Sequence, residues 1–290
     1  MILGAMTADF VVMVADRRLT YSETGKVFTD HENKVVVLAE EMILGYTGLG
    51  DLGGMPTDRW VTEALHGKQP EEYLTALVDS ANAAINRVRV SRHLKRHAFL
   101  LMGWSWAPDA PVDYLPLTVL ISNYHDELGN PQTVASPRFH VYAHELGRHR
   151  SWVYSVGRQL MMRERVALQR TITRYLHSNP GRPHGIVDLL ARTVLSVAAR
   201  DPGVGSELMM TCFPRQAVRT GFVVTMGDDT WATRLTSAYF GPEMGIVQYS
   251  PAYVSPSITT LAITVTHDLT KNPLQHVRGF PGLSRFTGTS

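Results

Sequence analysis

The order of segments along the chain constrains its fold more than any single motif. Two valine-rich apolar runs, Phe10 to Ala15 and Lys34 to Leu38, have the look of buried strands, and Met42 to Tyr46 follows across the acidic Glu40-Glu41 turn as the second arm of a hairpin. The period then changes. Thr57 can cap a helix whose inner face carries Trp60, Ala64 and Leu65. Pro70, with Glu71 and Glu72 in the first turn, opens a longer helix with a one-sided stripe at Leu74, Leu77, Val78, Ala81, Ala84, Ile85 and Val88.

Strand patterns return at Ala98 to Met102, Leu117 to Ser122, Phe139 to Ala143 and Ser151 to Val156, separated by turns at Pro108-Asp109, Leu128 to Pro131 and Leu146-Gly147. A second helix pair is expected over about 158–178, with Met161, Leu168, Ile172, Tyr175 and Leu176 inward, and about 185–200. Glu207 to Phe213 and Thr220 to Met226 close the regular part. Strand blocks alternating with helix pairs argue against βαβ units; they suggest an α+β fold of two packed antiparallel sheets with a helix pair on each outer face. Residues 1–226 form the expected domain and 227–290 a C-terminal extension packing on it, with one further strand at Ile258 to Thr266. The last dozen or so residues, from Gly279, are expected to be loose.

Composition narrows the function classes. Lys plus Arg number 28 against 26 Asp plus Glu, a balance with no strong pull toward nucleic acid or membrane. The single cysteine, Cys212, excludes an internal disulfide and favours a reducing compartment. Neither an apolar run of membrane-spanning length nor a signal peptide is evident, so a cytoplasmic protein is expected.

Several segments resemble the proteasome-type members of the N-terminal-nucleophile (Ntn) hydrolase superfamily. Ile2-Leu3-Gly4 is similar to the segment that follows the nucleophile there, and Val11 to Arg18 resembles the second strand with its Ala-Asp-x-Arg motif. Asn33 to Leu38 is similar to the lysine-plus-strand segment, and Ile43 to Gly48 to the glycine-bearing strand end. Ala198 to Ser206 resembles the Arg-Asp-x-x-Ser-Gly-Gly stretch. The resemblance implies a four-layer αββα sandwich, a self-assembling homo-oligomer (a ring or stacked assembly) and a peptide or small amide substrate. It implies no cofactor and no metal.

The chemistry implied is threonine-type. The hydroxyl of an N-terminal threonine attacks a carbonyl while its own α-amine, ordinarily titrating near pH 8, acts as base. By resemblance Lys34 tunes that amine, Asp16 holds Lys34, Asp201 supports the terminus, and Gly48 (or Gly45, in another register) donates a backbone N–H to the oxyanion. The ungapped register puts Val204 at the motif's serine; a two-residue slip gives Ser206. The same register puts Met1 at the family's second position, so the threonine is expected immediately before Met1. Thr7 lies mid-strand and offers no free amine. Alternatives are a catalytically silent scaffold or ring subunit of the same fold, and an Ntn amidase acting on a small molecule.

Other patterns carry bland readings. His144 to His149 has histidines five apart and a glycine between, which suits a hairpin turn better than a zinc site. The glycines of Tyr46 to Gly54 lack the spacing of a phosphate cradle. Arg87, Arg89, Arg92, His93, Lys95, Arg96 and His97 form a basic cluster that suits a solvated helix terminus; an acidic patch on a neighbouring subunit is the alternative.

Overall fold

A computed structural model describes residues 1–21, 24–38, 42–105, 115–126, 130–145, 151–180, 182–214, 237–241, 245–250, 252–254, 256, 259–260, 263–266 and 277–278. Strands β1 (Ile2–Thr7) and β2 (Phe10–Asp16) come first, then a small ribbon of β3 (Leu19–Thr20) and β4 (Val27–Thr29). Next are β5 (Val35–Leu38) and β6 (Met42–Thr47), the ribbon β7 (Asp51–Leu52) and β8 (Met55–Pro56), and helices α1 (Thr57–Leu65) and α2 (Tyr73–Arg87). Four strands follow: β9 (Ala98–Ser105), β10 (Leu115–Ser122), β11 (His140–Glu145) and β12 (Ser151–Val156). Helices α3 (Met162–Ser178) and α4 (His184–Ala198) lead to β13 (Leu208–Pro214). The later strands are β14 (Ser237–Gly241), β15 (Gly245–Ser250), β16 (Ala252–Val254), β17 (Thr259–Thr260), β18 (Ile263–Thr266) and β19 (Val277–Arg278).

The chain is thus mixed, with four α-helices and several antiparallel sheets among the described residues. A four-stranded sheet runs β12-β1-β2-β13 and a seven-stranded sheet β11-β10-β9-β6-β5-β16-β17; β14, β15, β18 and β19 make a third. Ile2, Met6, Val11, Met13 and Ala15 of the first sheet share one hydrophobic cluster with Val35, Val37, Ile43, Leu100 and Met102 of the second. Because strand side chains alternate, the next residues in register face away. Val36, Leu38, Leu44 and Phe99 meet Trp60, Val61, Leu77, Ala81 and Ile85 of α1 and α2. Leu3, Ala5, Val12 and Val14 meet Leu168, Ile172, Ile186, Leu190 and Val194 of α3 and α4.

Several expectations need correction. The seven-stranded sheet is not wholly antiparallel, because β16 adds to the edge of β5 in parallel. Two sheets were expected; the described residues also hold the third sheet and two ribbons. Thr57 does not cap α1. It is the first helical residue, and its hydroxyl donates to the carbonyls of Leu49 (3.0 Å) and Gly50 (2.9 Å), tying the helix to the preceding loop. Pro70–Glu72 is a 3₁₀ turn that precedes α2, capped reciprocally by Gln69 and Glu72. Helix α3 starts at Met162, later than expected, since Gly157 takes a positive φ of 83° and breaks the chain after β12; Met161 is exposed. Ile258 to Thr266 divides into β17 and β18.

The Glu40-Glu41 and Pro108-Asp109 turns, the Thr220–Met226 strand and the tail from Gly279 lie outside the described residues, as do half of Leu128 to Pro131 and most of His144 to His149. No helix among the described residues is long and apolar enough to cross a membrane. No described group of His, Cys, Asp or Glu is arranged to hold a metal ion.

Candidate active site

Asp16 ends β2 and lies beside the start of β1: its backbone N–H donates to the Met1 carbonyl (3.1 Å), continuing the ladder by one step. Its carboxylate is fully buried and collects four donors. The Met1 ammonium donates to Oδ2. Oδ1 accepts from the Lys34 Nζ (3.2 Å), the Arg18 N–H (2.9 Å) and the Gly205 N–H (3.2 Å). Burial alone would raise the Asp16 carboxyl, but the Met1 ammonium and Lys34 more than offset it and hold it below its usual range. The Met1 amine is pushed down, with burial as the main cause and Lys34 adding to it, against the pull of Asp16.

Lys34, 4% exposed, immediately precedes β5, and it also donates to the Arg18 carbonyl at 2.6 Å. A buried ammonium with two acceptors and one counter-charge is a held group, unlike a solvated surface lysine. Arg18 is itself held by Asp30 (2.6 and 3.1 Å) and donates to the Pro202 carbonyl at 2.9 Å, which ties the loop after β2 to the turn after α4.

That turn contains Asp201. Its Oδ1 accepts the Gly203 N–H (2.9 Å), and its Oδ2 pairs with Arg158 at 2.7 Å. It lines the same cleft as Met1 and Lys34, yet it is not hydrogen-bonded to either. Val204 is buried, Gly205 supplies the N–H to Asp16, and Ser206 is exposed.

Gly48 and Gly45 differ sharply. Gly45 lies inside β6 between the sheets, where a Cβ would meet Met13 Sδ at 2.5 Å and Ile2 Cδ1 at 3.0 Å. Gly48 lies just past β6 with φ of 112°, and a Cβ there would collide with the Arg96 carbonyl. Only glycine suits that position, and Gly48 lines the cleft. The cleft has a volume of about 870 Å³ and opens beside Met1, Lys34, Thr47 and Gly48.

The basic-cluster reading missed His97. It is fully buried at the start of β9, with its ring against Phe99 (4.6 Å between centroids) and Tyr46 (6.1 Å). Nδ1 accepts the Leu49 N–H at 3.1 Å, pinning the residue after Gly48; Nε2 has no partner among the described residues. Burial pushes its pKa down to about 3, so the ring stays neutral and keeps that acceptor. Neither the Gly205 and Arg18 amides on Asp16 nor the Leu49 amide on His97 leaves a trace in spacing, since backbone groups carry no residue code.

No protein-family model matches the chain, and no curated protein matches it. Among solved structures it is similar to Anbu (ancestral beta-subunit) from Yersinia bercovieri, with TM-score 0.44 and 13% identity, covering 74% of this chain and 81% of that one. It is also similar to eukaryotic HslV from Trypanosoma brucei, with TM-score 0.38 and 15% identity, covering 74% of this chain and 99% of that one.

Proposed function

We propose that this chain is a proteasome-like Ntn-fold protein, a four-layer αββα sandwich, and a threonine-type peptide or amide hydrolase when a threonine stands immediately before Met1. Its three successive hydrophobic clusters support the layering. The observation that carries the activity is the buried Asp16 carboxylate holding the Lys34 ammonium and the Met1 nitrogen at the end of one cleft. A residue joined to Met1 turns that nitrogen into an amide, which still has an N–H to give Asp16. The added residue extends β1 toward the cleft beside Lys34 and Gly48.

In this reading the threonine hydroxyl adds to the substrate's carbonyl carbon and its proton passes to the threonine α-amine. Lys34 lowers the amine's affinity for that proton and steadies the negative charge, while Gly48 N–H receives the oxyanion. Collapse breaks the C–N bond, and the amine's proton leaves with the departing nitrogen. Water then hydrolyses the acyl ester and restores the threonine. Asp16 acts through Lys34 as a positioning residue, and Asp201 steadies the Arg158 side of the cleft. Assembly as a homo-oligomeric ring or stack belongs to the same reading, by resemblance.

One observation favours a second reading, a silent scaffold of the same fold: the position matching the family's serine is the buried Val204, and Ser206 points to solvent. Three purified chains decide between them: residues 1–290, the same chain with one added N-terminal threonine, and that chain carrying Lys34→Ala. On a panel of fluorogenic peptide and amide reporters, only the second is expected to turn over. A folded threonine-bearing chain without turnover leaves the scaffold reading standing, and hydrolysis by residues 1–290 overturns the mechanism.

A further inference from the structure

The charges that line the cleft do not cancel. Arg18 pairs with Asp30, Lys34 with Asp16, Arg158 with Asp201, and Arg200 with Glu164 at 2.5 Å. Arg96 also lines the cleft, and among the described residues no carboxylate pairs with it. Its guanidinium lies 5.8 Å from the ring centre of Tyr124, a buried residue of the cleft wall. Asp126, the acid just beyond His125, is occupied by the N–H of Asn130 (2.8 Å) and its side-chain amide (3.2 Å).

A stacked guanidinium has lost part of its freedom, keeps its N–H edges open and is weakly hydrated, so it can receive a carboxylate at small entropic cost. Its backbone is fixed on the Gly48 side of the cleft, where the Arg96 carbonyl lies against Gly48. In the preceding segment Arg87, Arg89 and Arg92 are, like Arg96, exposed and without a described ion pair, so this stretch of chain, whose His93 and Leu94 also line the cleft, carries a positive charge that attracts anions.

We infer that the cleft takes ligands bearing a carboxylate, anchored by Arg96 on the Gly48 side. Resting on the hydrolase reading, this makes the substrate an acidic peptide or a carboxylate-bearing amide with its negative group near the bond to be cut. An acidic patch on a neighbouring subunit is the lesser use of this strip, since Arg96, His93 and Leu94 face the cleft itself.

Binding tests the inference without turnover. Two short peptides with the same uncharged fluorophore, differing only by Glu or Gln at the centre, are titrated with residues 1–290 and followed by anisotropy. The Glu peptide is expected to bind about fivefold more tightly at low ionic strength, and the ratio to fall toward one as salt is raised to about 1 M. Arg96→Gln should bring the ratio to one and Arg96→Lys should keep part of it. Arg59→Gln, which removes an exposed pair on α1, should change nothing. A ratio of one in the unaltered chain, a ratio that survives Arg96→Gln, or no binding of either peptide overturns the inference. If the threonine-bearing chain proves inert while the Glu preference holds, the hydrolase reading has failed and the anion site has not.

Discussion

At the scale of single residues, the centre of the molecule is a carboxylate that water cannot reach. Isolating Asp16 from solvent costs several kcal/mol unless its lone pairs are filled. Two cations and two backbone amides fill them, so the residue is held ionised by what surrounds it. His97 shows the opposite outcome of burial. With burial unopposed by any described counter-charge and a pKa pushed down to about 3, it refuses the proton that the unfolded chain accepts near 6.5. A proton bound only in the unfolded state favours unfolding, so stability falls as pH drops from about 6.5 toward 3, by at most about 1.4 kcal/mol per pH unit for one such group. His125, pushed down to about 4 by burial, adds a slope of the same sign. His97→Gln keeps an acceptor for the Leu49 N–H but cannot titrate. Urea unfolding at pH 6.5 and 4.5 should therefore show a shallower loss in the variant, and equal slopes would show that His97 is protonated in the native protein.

At the scale of elements, the two large sheets approach closely where glycine faces methionine across the shared cluster. Gly45 of β6 lies against Met13 of β2, and a methyl group there would overlap its sulfur. Overpacking of this kind costs about 1–3 kcal/mol, toward the lower end where a flexible methionine can yield. Gly45→Ala should lower the thermal midpoint, and adding Met13→Ala, which vacates the space, should cost less than the two separate losses summed; simple additivity would place the two residues apart. The strands themselves were legible: the valine runs mark β2 and β5, and the stripe from Leu74 marks α2. That Lys34 and Asp16 meet, at 3.2 Å, was expected through the family resemblance, which rests on side-chain identities the sequence displays. The facing of Gly45 and Met13, the hydroxyl bonds of Thr57 and the burial of His97 were not, since each depends on residues brought together only by the completed fold.

At the scale of the whole molecule, the chain beyond residue 226 takes part in the core. β16 extends the seven-stranded sheet along β5, pairing Ala252, Tyr253 and Val254 with Val36, Val37 and Leu38. Ala252 and Val254 are fully buried in the cluster beneath α1 and α2, and His66 after α1 meets Thr259 at 3.1 Å. A parallel addition joins segments more than 200 residues apart in sequence, which no local pattern announces and which is slow to form because the loop must close first. Residues 1–226 alone would leave the outer edge of β5 unpaired, with Val36 and Leu38 opened to water. Losing the burial of Val254 and its neighbours costs on the order of 2–4 kcal/mol, and a bare apolar edge invites association between copies. The truncated chain is therefore expected to unfold at lower denaturant than the full chain and to aggregate, measured by urea titration and light scattering. Val254→Ala in the full chain should lose about 1–2 kcal/mol with no aggregation, because the strand still covers the edge. A truncated chain that stays monodisperse with an unchanged midpoint would mean that 1–226 is self-sufficient and that β16 only decorates it.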